Sequence, residues 1–407
     1  MTMFGLKEAE VSELIRAVSV DGASLDRDAI EERFARSAWS GIAEPGDRVA
    51  GVLIRELGPA AALSAVIDRL PVEGVRVMLG TESDVVEKDL RAALDRWVPR
   101  LTSATALTAL RQAVRFGVRL TVPGDALWIA GVDDLEQHAP IALWMRGNVV
   151  GLAGLERSIA MVGARAATGY GEHVTMEGAA GLVDRGFAIV SGAAYGIDGM
   201  AHRAALASHG YTVAFLAGGV DRFYPSGHDA LLTRIVENGC VISELPCGAQ
   251  PSKWRFLQRN RLIAAASQAT VVLEAGWRSG SLNTANHAAS LGRPLGAVPG
   301  PVTSAASAGC HRLIRENLAT LVTTAEEMAE LAGLWDTDAT ATAPTDDPLR
   351  IRVLDAISTR AARQPADIAA RSGLSLTDVM STLGALDLEG ITRETQKGWV
   401  RRILRDS

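Results

Sequence analysis

The sequence contains little cysteine and shows no metal-ligand spacing. Three of its 407 residues are cysteines, Cys240, Cys247 and Cys310, and they form no Cys-x-x-Cys pair. An odd number of cysteines without matching histidines argues against a disulfide framework and against a structural zinc site. We therefore expect free thiols in a reducing cytoplasm, and no metal ion.

The sequence also lacks long apolar runs. No uninterrupted apolar stretch reaches the roughly 18 residues that a membrane-spanning helix needs. Charged residues interrupt Met1–Gly22, so this stretch is not a secretory signal. These absences predict a cytoplasmic protein without membrane contact.

Net positive charge is absent as well, because 47 acidic residues against 41 basic ones give a net charge of −6. This balance argues against a protein that coats nucleic acid with its entire surface. The charge is unevenly distributed, however. Residues 250–315 hold eight basic residues and one acid, Glu274, a local charge of +7 that leaves −13 for the remainder. The distribution predicts that any nucleic-acid contact runs along a single edge.

What the sequence does contain is a series of short apolar runs that begins at Ser158. They recur roughly every 25–30 residues, the length of a βαβ unit, with alanine-rich helical patterns between them. Because the runs are continuous rather than alternating, both faces of the sheet should be covered. The pattern predicts an α/β fold with a doubly wound parallel sheet. The predicted strands are Ser158–Val162, Phe187–Val190, Thr212–Leu216, Cys240–Ser243, Thr270–Leu273 and Leu295–Val298.

Composition divides the chain into four parts. Residues 1–105 indicate a helical N-terminal domain. Residues 106–331 indicate the α/β domain, whose first part, 106–147, is expected to hold a helix and loops. The Ala-, Thr-, Asp- and Pro-rich stretch 332–348 is typical of a linker. Residues 349–407 predict three short helices and a hairpin, the pattern of a winged-helix domain.

Glycine-rich loops follow several of the predicted strands, for example Gly163-Ala164-Arg165, Ser191-Gly192 and Gly280-Ser281. In a parallel sheet, the carboxyl ends of the strands meet at one edge, where ligands bind. Glycine lets the backbone approach an anion closely, and the following helix presents unpaired N–H groups. The loops together predict an anion-binding crevice, although any one of them alone is better explained as a tight turn. No G-x-G-x-x-G or Walker A motif is present, so no dinucleotide or ATP cofactor is expected.

Basic and aromatic residues alternate at the same edge. The stretch Lys253–Arg261 carries four cations together with Trp254 and Phe256, and Arg165 and Arg278 belong to neighbouring loops. Cations suit the phosphates of a single nucleic-acid strand, and aromatic rings can stack its bases. The alternative, that Trp254 and Phe256 are core residues, stays open at this point.

A hydrolytic site is not visible in the sequence. Asp198 and His202 lie four residues apart on a predicted helix, but Asp198 stands where an N-cap belongs. His202 is expected to make a local polar contact rather than to act as a base. Glu244 and Glu274 end strands without other metal ligands nearby. We therefore expect a binding protein rather than an enzyme.

Eight motifs appear in order: Val162–Arg165, Ser191–His202, Tyr224-Pro225, Ser243–Pro246, Phe256–Ile263, Glu274–Leu282, Ala297–Gly300 and Gly309–Ile314. Together they closely resemble the DNA-processing protein A family (DprA, also called Smf). The resemblance runs from about residue 140 to residue 322. The C-terminal part is similar to the winged-helix domain of many members, and the N-terminal part corresponds to theirs by position alone.

The resemblance implies a cytoplasmic, homodimeric, single-stranded DNA-binding protein with an extended Rossmann-like core. It would protect incoming DNA during natural transformation and load the RecA recombinase onto it. Arg165, Lys253 and Arg259 would hold phosphates, loop amides would donate hydrogen bonds, and Phe256 would stack a base. The full set of candidate DNA-binding residues is Gly163, Arg165, Ser191, Gly192, Lys253, Arg255, Phe256, Arg259, Arg261, Arg278, Gly280 and Ser281.

Two other functions are weighed against this one. The fold variant also resembles the nucleotide phosphoribohydrolases, whose Pro-Gly-Gly-x-Gly-Thr-x-x-Glu loop supplies a catalytic glutamate. Aligned on Gly280, this chain has Ser281 for the threonine and Thr284 in place of the glutamate. A transcription regulator would read duplex DNA with the predicted helix Ser375–Leu388, which has no Lys or Arg. Both alternatives rank below single-stranded DNA binding.

Overall fold

A computed structural model describes residues 2–81, 83–333, 348–359 and 361–402 of the chain. Contacts between residues group the chain into two compact units, Met1–Trp335 and Asp336–Ser407. The first unit holds the N-terminal helices and a large sheet, and the second holds three helices and a hairpin.

The first unit begins with a small hairpin and a group of helices, which confirms the helical prediction for this region. Several helices begin at polar caps, since Asp26, Asp47 and Thr102 accept hydrogen bonds from backbone N–H groups of the first turn. Apolar side chains pack around Trp39 and Trp97, whose rings meet edge to face with centres 5.0 Å apart. The elements are β1 (Thr2–Met3), β2 (Leu6–Lys7), α1 (Glu8–Val18), α2 (Arg27–Ile42), α3 (Arg48–Leu57), α4 (Pro59–Ile67), α5 (Val72–Leu79), α6 (Glu87–Trp97) and α7 (Ser103–Phe116).

The described residues form a nine-stranded sheet in the order β11-β10-β9-β5-β6-β7-β8-β4-β3. All six predicted strands are present and parallel. The strands are β3 (Arg119–Thr121), β4 (Leu143–Gly147), β5 (Ser158–Gly163), β6 (Ala188–Ser191), β7 (Thr212–Phe215), β8 (Cys240–Ser243), β9 (Ala269–Glu274), β10 (Leu295–Ala297) and β11 (Thr320–Leu321).

The sheet is mixed rather than wholly parallel, which corrects the prediction for residues 106–147. The sequence predicts a helix and loops in this segment, but the segment also forms β3 and β4, which run antiparallel to their neighbours. The strands are three and five residues long, too short for their apolar pattern to be distinguished from a loop. Leu143, Trp144 and Met145 of β4 are fully buried.

Helices cover both faces of the sheet, as the continuous apolar strands predict. Alternate residues of β5 enter two different core clusters, Ile159 and Met161 on one face and Ala160 and Val162 on the other. The first face is covered by α8 and α9, and the second by α11 and α12. The helices of this region are α8 (Gly169–Asp184), α9 (Ile197–Ala207), α10 (Asp229–Asn238), α11 (Lys253–Ala265), α12 (Ser281–Ser290), α13 (Ala308–Arg315) and α14 (Ala325–Glu330).

The second unit has the predicted winged-helix pattern of three helices and a hairpin. Val353, Ile368, Leu383 and Trp399 lie in its buried core. Most of the predicted linker, residues 334–347, lies outside the described residues. The elements are α15 (Pro348–Ala356), α16 (Pro365–Ser372), α17 (Leu376–Leu388), β12 (Thr392–Thr395) and β13 (Gly398–Arg401). Short 3₁₀ helices in the chain span Gly22–Ser24, Val98–Arg100, Ala130–His138, Val149–Glu156, Ser226–His228 and Ala305–Ser307.

Among the described residues, no single helix has the length and apolar composition to cross a membrane. The pair α3 and α4, bent by 114°, meets both requirements when taken together, and its buried side chains belong to the core around Trp39. The three cysteines are buried free thiols, as expected, and burial raises the pKa of Cys240 to about 12. No group of three or more His, Cys, Asp or Glu side chains suited to a metal ion occurs in the described part of the chain.

Candidate nucleic-acid interface

A cavity of about 820 Å³ opens at the carboxyl ends of the parallel strands. Its walls come from the loops after β5, β6, β7, β8 and β9, from helix α11 and from the first turns of α9 and α12. The topology brings these segments together because neighbouring parallel strands end at the same edge. The cavity therefore lies where the sequence predicts the crevice.

Eight of the twelve candidate residues line this cavity, and four do not. The residues in its walls are Gly163, Arg165, Lys253, Phe256, Arg259, Arg278, Gly280 and Ser281. The residues outside its walls are Ser191, Gly192, Arg255 and Arg261. A contact between any of them and DNA stays a prediction.

Helix α11 supplies one wall of the cavity. Its N-cap is Ser252, whose hydroxyl accepts a hydrogen bond from the N–H of Arg255 at 3.3 Å. Lys253, Phe256 and Asn260 line the cavity at spacings of three and four residues, which places them on one side of the helix. The helix therefore presents a cation, an aromatic ring and an amide to the same space.

The ring of Phe256 is half-buried in the cavity wall. The ring of Tyr224 packs against it with a centre-to-centre distance of 5.5 Å. The guanidinium groups of Arg165 and Arg259 lie 5.3 and 5.9 Å from its centre, within the range of cation–π attraction. Trp254 is 56% exposed, so it is not a core residue. Of the two aromatic residues in this stretch, only Phe256 belongs to the cavity wall.

Arg259 is held in place by backbone oxygens. Its Nη1 donates to the carbonyls of Gly192 at 2.6 Å and Phe215 at 2.5 Å. Burial lowers the pKa of Arg259 to about 10, and the nearby Asp198 opposes that shift. A Cβ atom at Gly192 would lie 2.2 Å from the guanidinium. Gly192 is thus a glycine because Arg259 occupies the space of a side chain, whereas the sequence pattern suggested an amide facing a ligand.

Three cations in the cavity wall are exposed. Arg165, Lys253 and Arg278 have no carboxylate within salt-bridge distance in the described residues. The helices α8, α9, α11 and α12 also begin at this edge of the sheet, and their N-termini carry a partial positive charge. The potential at the cavity mouth therefore favours anions.

The candidates outside the cavity are engaged elsewhere. Arg255 forms a two-bond contact with Glu44, at 3.0 Å and 2.9 Å. Arg261 pairs in the same way with Glu244, at 2.9 Å and 2.8 Å, and this pair is almost completely buried. The Ser191 hydroxyl is buried and donates to the carbonyl of Met161 at 2.6 Å. These side chains serve the fold in the structure, and nothing in the geometry brings them to the cavity.

The residues weighed as catalytic have structural partners. The N-cap of α9 is Gly196, so the capping role predicted for Asp198 is wrong. Asp198 is buried in the first turn, its carboxylate accepts the N–H of Ala194 at 3.4 Å, and burial raises its pKa. His202 Nδ1 lies 2.7 Å from the Thr212 hydroxyl, which confirms the predicted local contact. Burial lowers the pKa of His202 to about 3.

Glu274 at the end of β9 holds the loop that carries Arg165. Its carboxylate accepts hydrogen bonds from the backbone N–H of Thr168 at 2.9 Å and from the Thr168 hydroxyl at 2.7 Å. A Cβ atom at Gly171 would lie 2.4 Å from the carboxylate. The buried acid therefore fixes the path of the chain between β5 and α8.

Sequence reasoning missed two cavity residues with useful chemistry. Tyr224 lies in the loop after β7, and Asn260 donates to the carbonyl of Gly280 at 3.4 Å across the cavity wall. The spacing of Asn260 from Phe256, one helical turn, was a signal that could have identified it. Tyr224 follows a predicted strand by eight residues, and no pattern in the sequence indicates that its ring turns back to Phe256.

The family models and relatives that match this chain agree with the family resemblance of its motifs. The model for the DNA recombination-mediator protein A matches residues 119–333, and the model for the DprA winged helix domain matches residues 337–395. A putative DNA processing protein DprA from Mycobacterium tuberculosis is 42% identical over 387 residues, which cover 90% of this chain and 94% of that protein. Protein Smf from Escherichia coli is 35% identical over 271 residues, which cover 64% of this chain and 72% of Smf.

A solved structure extends the comparison to the fold. The X-ray structure of DNA processing protein A (DprA) from Streptococcus pneumoniae aligns with a TM-score of 0.57 and 29% identity. The alignment covers 72% of this chain and 95% of that chain. Because a family model matches more than half of the sequence and the identity to a relative reaches 42% along most of it, the chain belongs to the DNA-processing protein A family, DprA/Smf.

Proposed function

We propose that the protein binds single-stranded DNA in the cavity at the carboxyl edge of the sheet. The observation that carries this proposal is the ring of Phe256, with the guanidinium groups of Arg165 and Arg259 within 6 Å of its centre. A ring in a recess can stack with a base only when that base is free of a duplex. Arg165, the exposed cation beside the ring, suits a phosphate next to such a base.

The exposed cations supply the phosphate contacts in this proposal. Arg165, Lys253 and Arg278 carry charge that no carboxylate of the described residues offsets, so they can displace the counterions of a phosphate. Gly280 precedes α12, and a Cβ atom there would meet nothing within 4 Å. Its backbone is therefore open to a close approach by the strand.

Arg259 has a different role, because its guanidinium is buried and bonded to two carbonyls. It sets the position of the Phe256 ring and adds positive charge behind it. Arg255 and Arg261 are left out of the proposed contacts because Glu44 and Glu244 offset their charges.

We infer that this binding serves the recombination of incoming DNA. The names of the family model and of the relatives, recombination-mediator and DNA processing protein, support this inference. The protein would protect single strands in the cytoplasm during natural transformation, act as a homodimer and load RecA, without chemical turnover. Sedimentation equilibrium tests the homodimer. Filament formation by RecA on strands coated with single-strand-binding protein, with and without this protein, tests the loading.

The direct test of the proposal is fluorescence anisotropy with a labelled 20-nucleotide single strand and with the same strand in a duplex, in a series of salt concentrations. We expect tighter binding of the single strand at every salt concentration. Equal affinity for the two forms would contradict the proposal, because an enclosed ring cannot distinguish them by stacking.

The phosphoribohydrolase alternative is tested on the same preparation. Thr284 lines the cavity where that family's loop places its glutamate, and a threonine hydroxyl cannot supply the carboxylate chemistry. Incubation with nucleoside monophosphates should release no free base, as measured by chromatography. Release that disappears in Ser281→Ala would replace the binding proposal with an enzymatic one.

A further inference from the structure

Trp277 is an exposed aromatic residue at the rim of the cavity. It stands in the loop after β9 between Gly276 and Arg278, which both line the cavity, but it does not line the cavity itself. Its exposed fraction is 53%. Tryptophan is highly buried on average, and an exposed indole is typical of a binding surface.

A cation supports the ring of Trp277 from helix α13. The guanidinium of Arg312 lies 5.0 Å from the ring centre. No hydrogen bond from the Arg312 side chain is found in the described part of the chain, and the carboxylate of Glu316 comes only within 4.0 Å of its Nε. The guanidinium therefore lies against the indole, with Glu316 forming a long ion pair on its other side.

Helix α13 is fixed under the loop that carries Trp277. The N–H of Gly309 donates to the carbonyl of Ala275 at 2.7 Å. A Cβ atom at Gly309 would lie 2.7 Å from the carbonyl oxygens of Ala275 and Gly276. Because a glycine allows this close approach, Arg312 and Trp277 are held in a defined arrangement beside the cavity.

We propose that Trp277, supported by Arg312, is a second base-stacking platform, and this inference rests on the proposed function. The ligand is an unpaired base of the same DNA strand, next to the part of the strand held by Phe256 in the cavity. Stacking uses the face that every base presents, so the platform does not select a sequence. Arg278 follows Trp277 in the chain and lines the same cavity as Phe256, so its charge is available to the phosphates of such a strand.

Trp254 is a matched comparison. It is 56% exposed and also stands beside cavity residues. No aromatic or cation contact is found for its ring within the described ranges. If support by a cation defines the platform, Trp277 contributes to binding and Trp254 does not.

The experiment measures the affinity of the full chain for oligothymidylates of 4 to 20 nucleotides by fluorescence anisotropy. In the wild type, affinity should rise with length and rise again when the strand reaches Trp277. Trp277→Ala should bind the shortest oligonucleotides as the wild type does and should lose about 5- to 150-fold on the longest, the range expected for one stacked base. Trp277→Phe should recover most of the loss, and Trp254→Ala should behave as the wild type.

A single abasic site moved along the 20-nucleotide strand completes the test. At one position the missing base should weaken binding to the wild type and leave binding to Trp277→Ala unchanged. Unchanged affinity of Trp277→Ala at all lengths, or an equal loss at all lengths, would overturn the inference while leaving the cavity proposal in place. An equal length-dependent loss in Trp254→Ala would also overturn it. If the wild type binds no single strand, the proposed function itself fails.

Discussion

Along helix α11, Lys253 and Arg255 lie two residues apart, yet their side chains have opposite surroundings. Lys253 lines the cavity, is exposed and has no acidic partner in the described residues. Arg255 turns to the other side, where both oxygens of Glu44 accept its hydrogen bonds. Further along, Arg259 lines the cavity, whereas Arg261 pairs with the buried Glu244. Lys253 thus offers its charge to a ligand, whereas Arg255 and Arg261 pair with acids and Arg259 is bonded to backbone carbonyls.

The difference shows that a count of basic residues does not measure a binding surface. Residues 250–315 carry a local charge of +7. Four carboxylates from outside that segment pair with four of its arginines. The pairs are Glu44–Arg255, Asp134–Arg293, Glu244–Arg261 and the long Glu316–Arg312. Of the four cations that remain, Lys253, Arg259 and Arg278 line the cavity.

The largest effect is expected from breaking the buried pair. Arg261→Met leaves the carboxylate of Glu244 buried without its partner, so the free energy of unfolding should fall by about 3–5 kcal/mol. Urea unfolding measures the loss. The double variant Arg261→Met with Glu244→Leu should recover most of it, because no unpaired charge is left behind. A loss below about 1 kcal/mol in the single variant would show that the pair does not hold this side of the helix.

The next largest effect is expected at the ring in the cavity. Phe256→Ala should weaken binding of single-stranded DNA by about 1–3 kcal/mol, the value of one stacked base. Phe116 is the matched control, because it is also half-buried with two arginines 5.7 and 5.4 Å from its ring, and it lies outside the cavity. Fluorescence anisotropy compares the DNA affinities of Phe256→Ala and Phe116→Ala, and Phe116→Ala should bind as the wild type does. Normal DNA affinity together with lower stability in Phe256→Ala would show that the ring is a packing residue.

Arg165 tests the exposed cations. Arg165→Ala should weaken binding to strands of any sequence and reduce the slope of log affinity against log salt by about 0.7, one phosphate contact. Lys88→Ala removes an exposed cation from α6, outside the cavity walls, and should leave the slope unchanged. A slope that stays the same in a folded Arg165→Ala protein would remove this residue from the site.

The smallest effect is expected at Arg255. Its pair with Glu44 is partly exposed, with side-chain exposures of 18% and 24%. Arg255→Ala should therefore lower the free energy of unfolding by about 1 kcal/mol or less. Urea unfolding of Arg255→Ala and Arg261→Met under the same conditions compares the two ion pairs directly. A loss as large as that of Arg261→Met would show that the exposure of an ion pair does not determine its contribution to stability here.

The position of the cavity was predictable from the sequence. Which of the basic residues line the cavity and which pair with carboxylates was not. The apolar runs predict parallel strands, and parallel strands bring Gly163, Phe256 and Gly280 to one edge whatever the details of packing. The partner of Arg255, Glu44, lies 211 residues away in the turn between α2 and α3, and no rule based on sequence spacing predicts a contact over that distance. Glu244 stands 17 residues before Arg261 at the end of a strand, where a ligand contact is an equally good hypothesis.

Tertiary packing decided two features that the local sequence could not predict. Gly192 follows the pattern of an anion-binding loop, yet the guanidinium of Arg259 fills the space where a side chain would stand. Asp198 has the residue type of a cap, but α9 begins at Ile197 and the carboxylate is buried inside its first turn. Arg259 lies 67 residues after Gly192, so no local pattern indicates this contact.

The most direct test of the account is the salt dependence of single-stranded DNA binding in Lys253→Ala and Arg255→Ala, two variants of the same helix. The account predicts that Lys253→Ala reduces the slope of log affinity against log salt by about 0.7, while Arg255→Ala leaves it at the wild-type value. Equal reductions in the two variants, or a larger one in Arg255→Ala, would contradict the claim that carboxylate partners decide which cations of α11 meet the DNA.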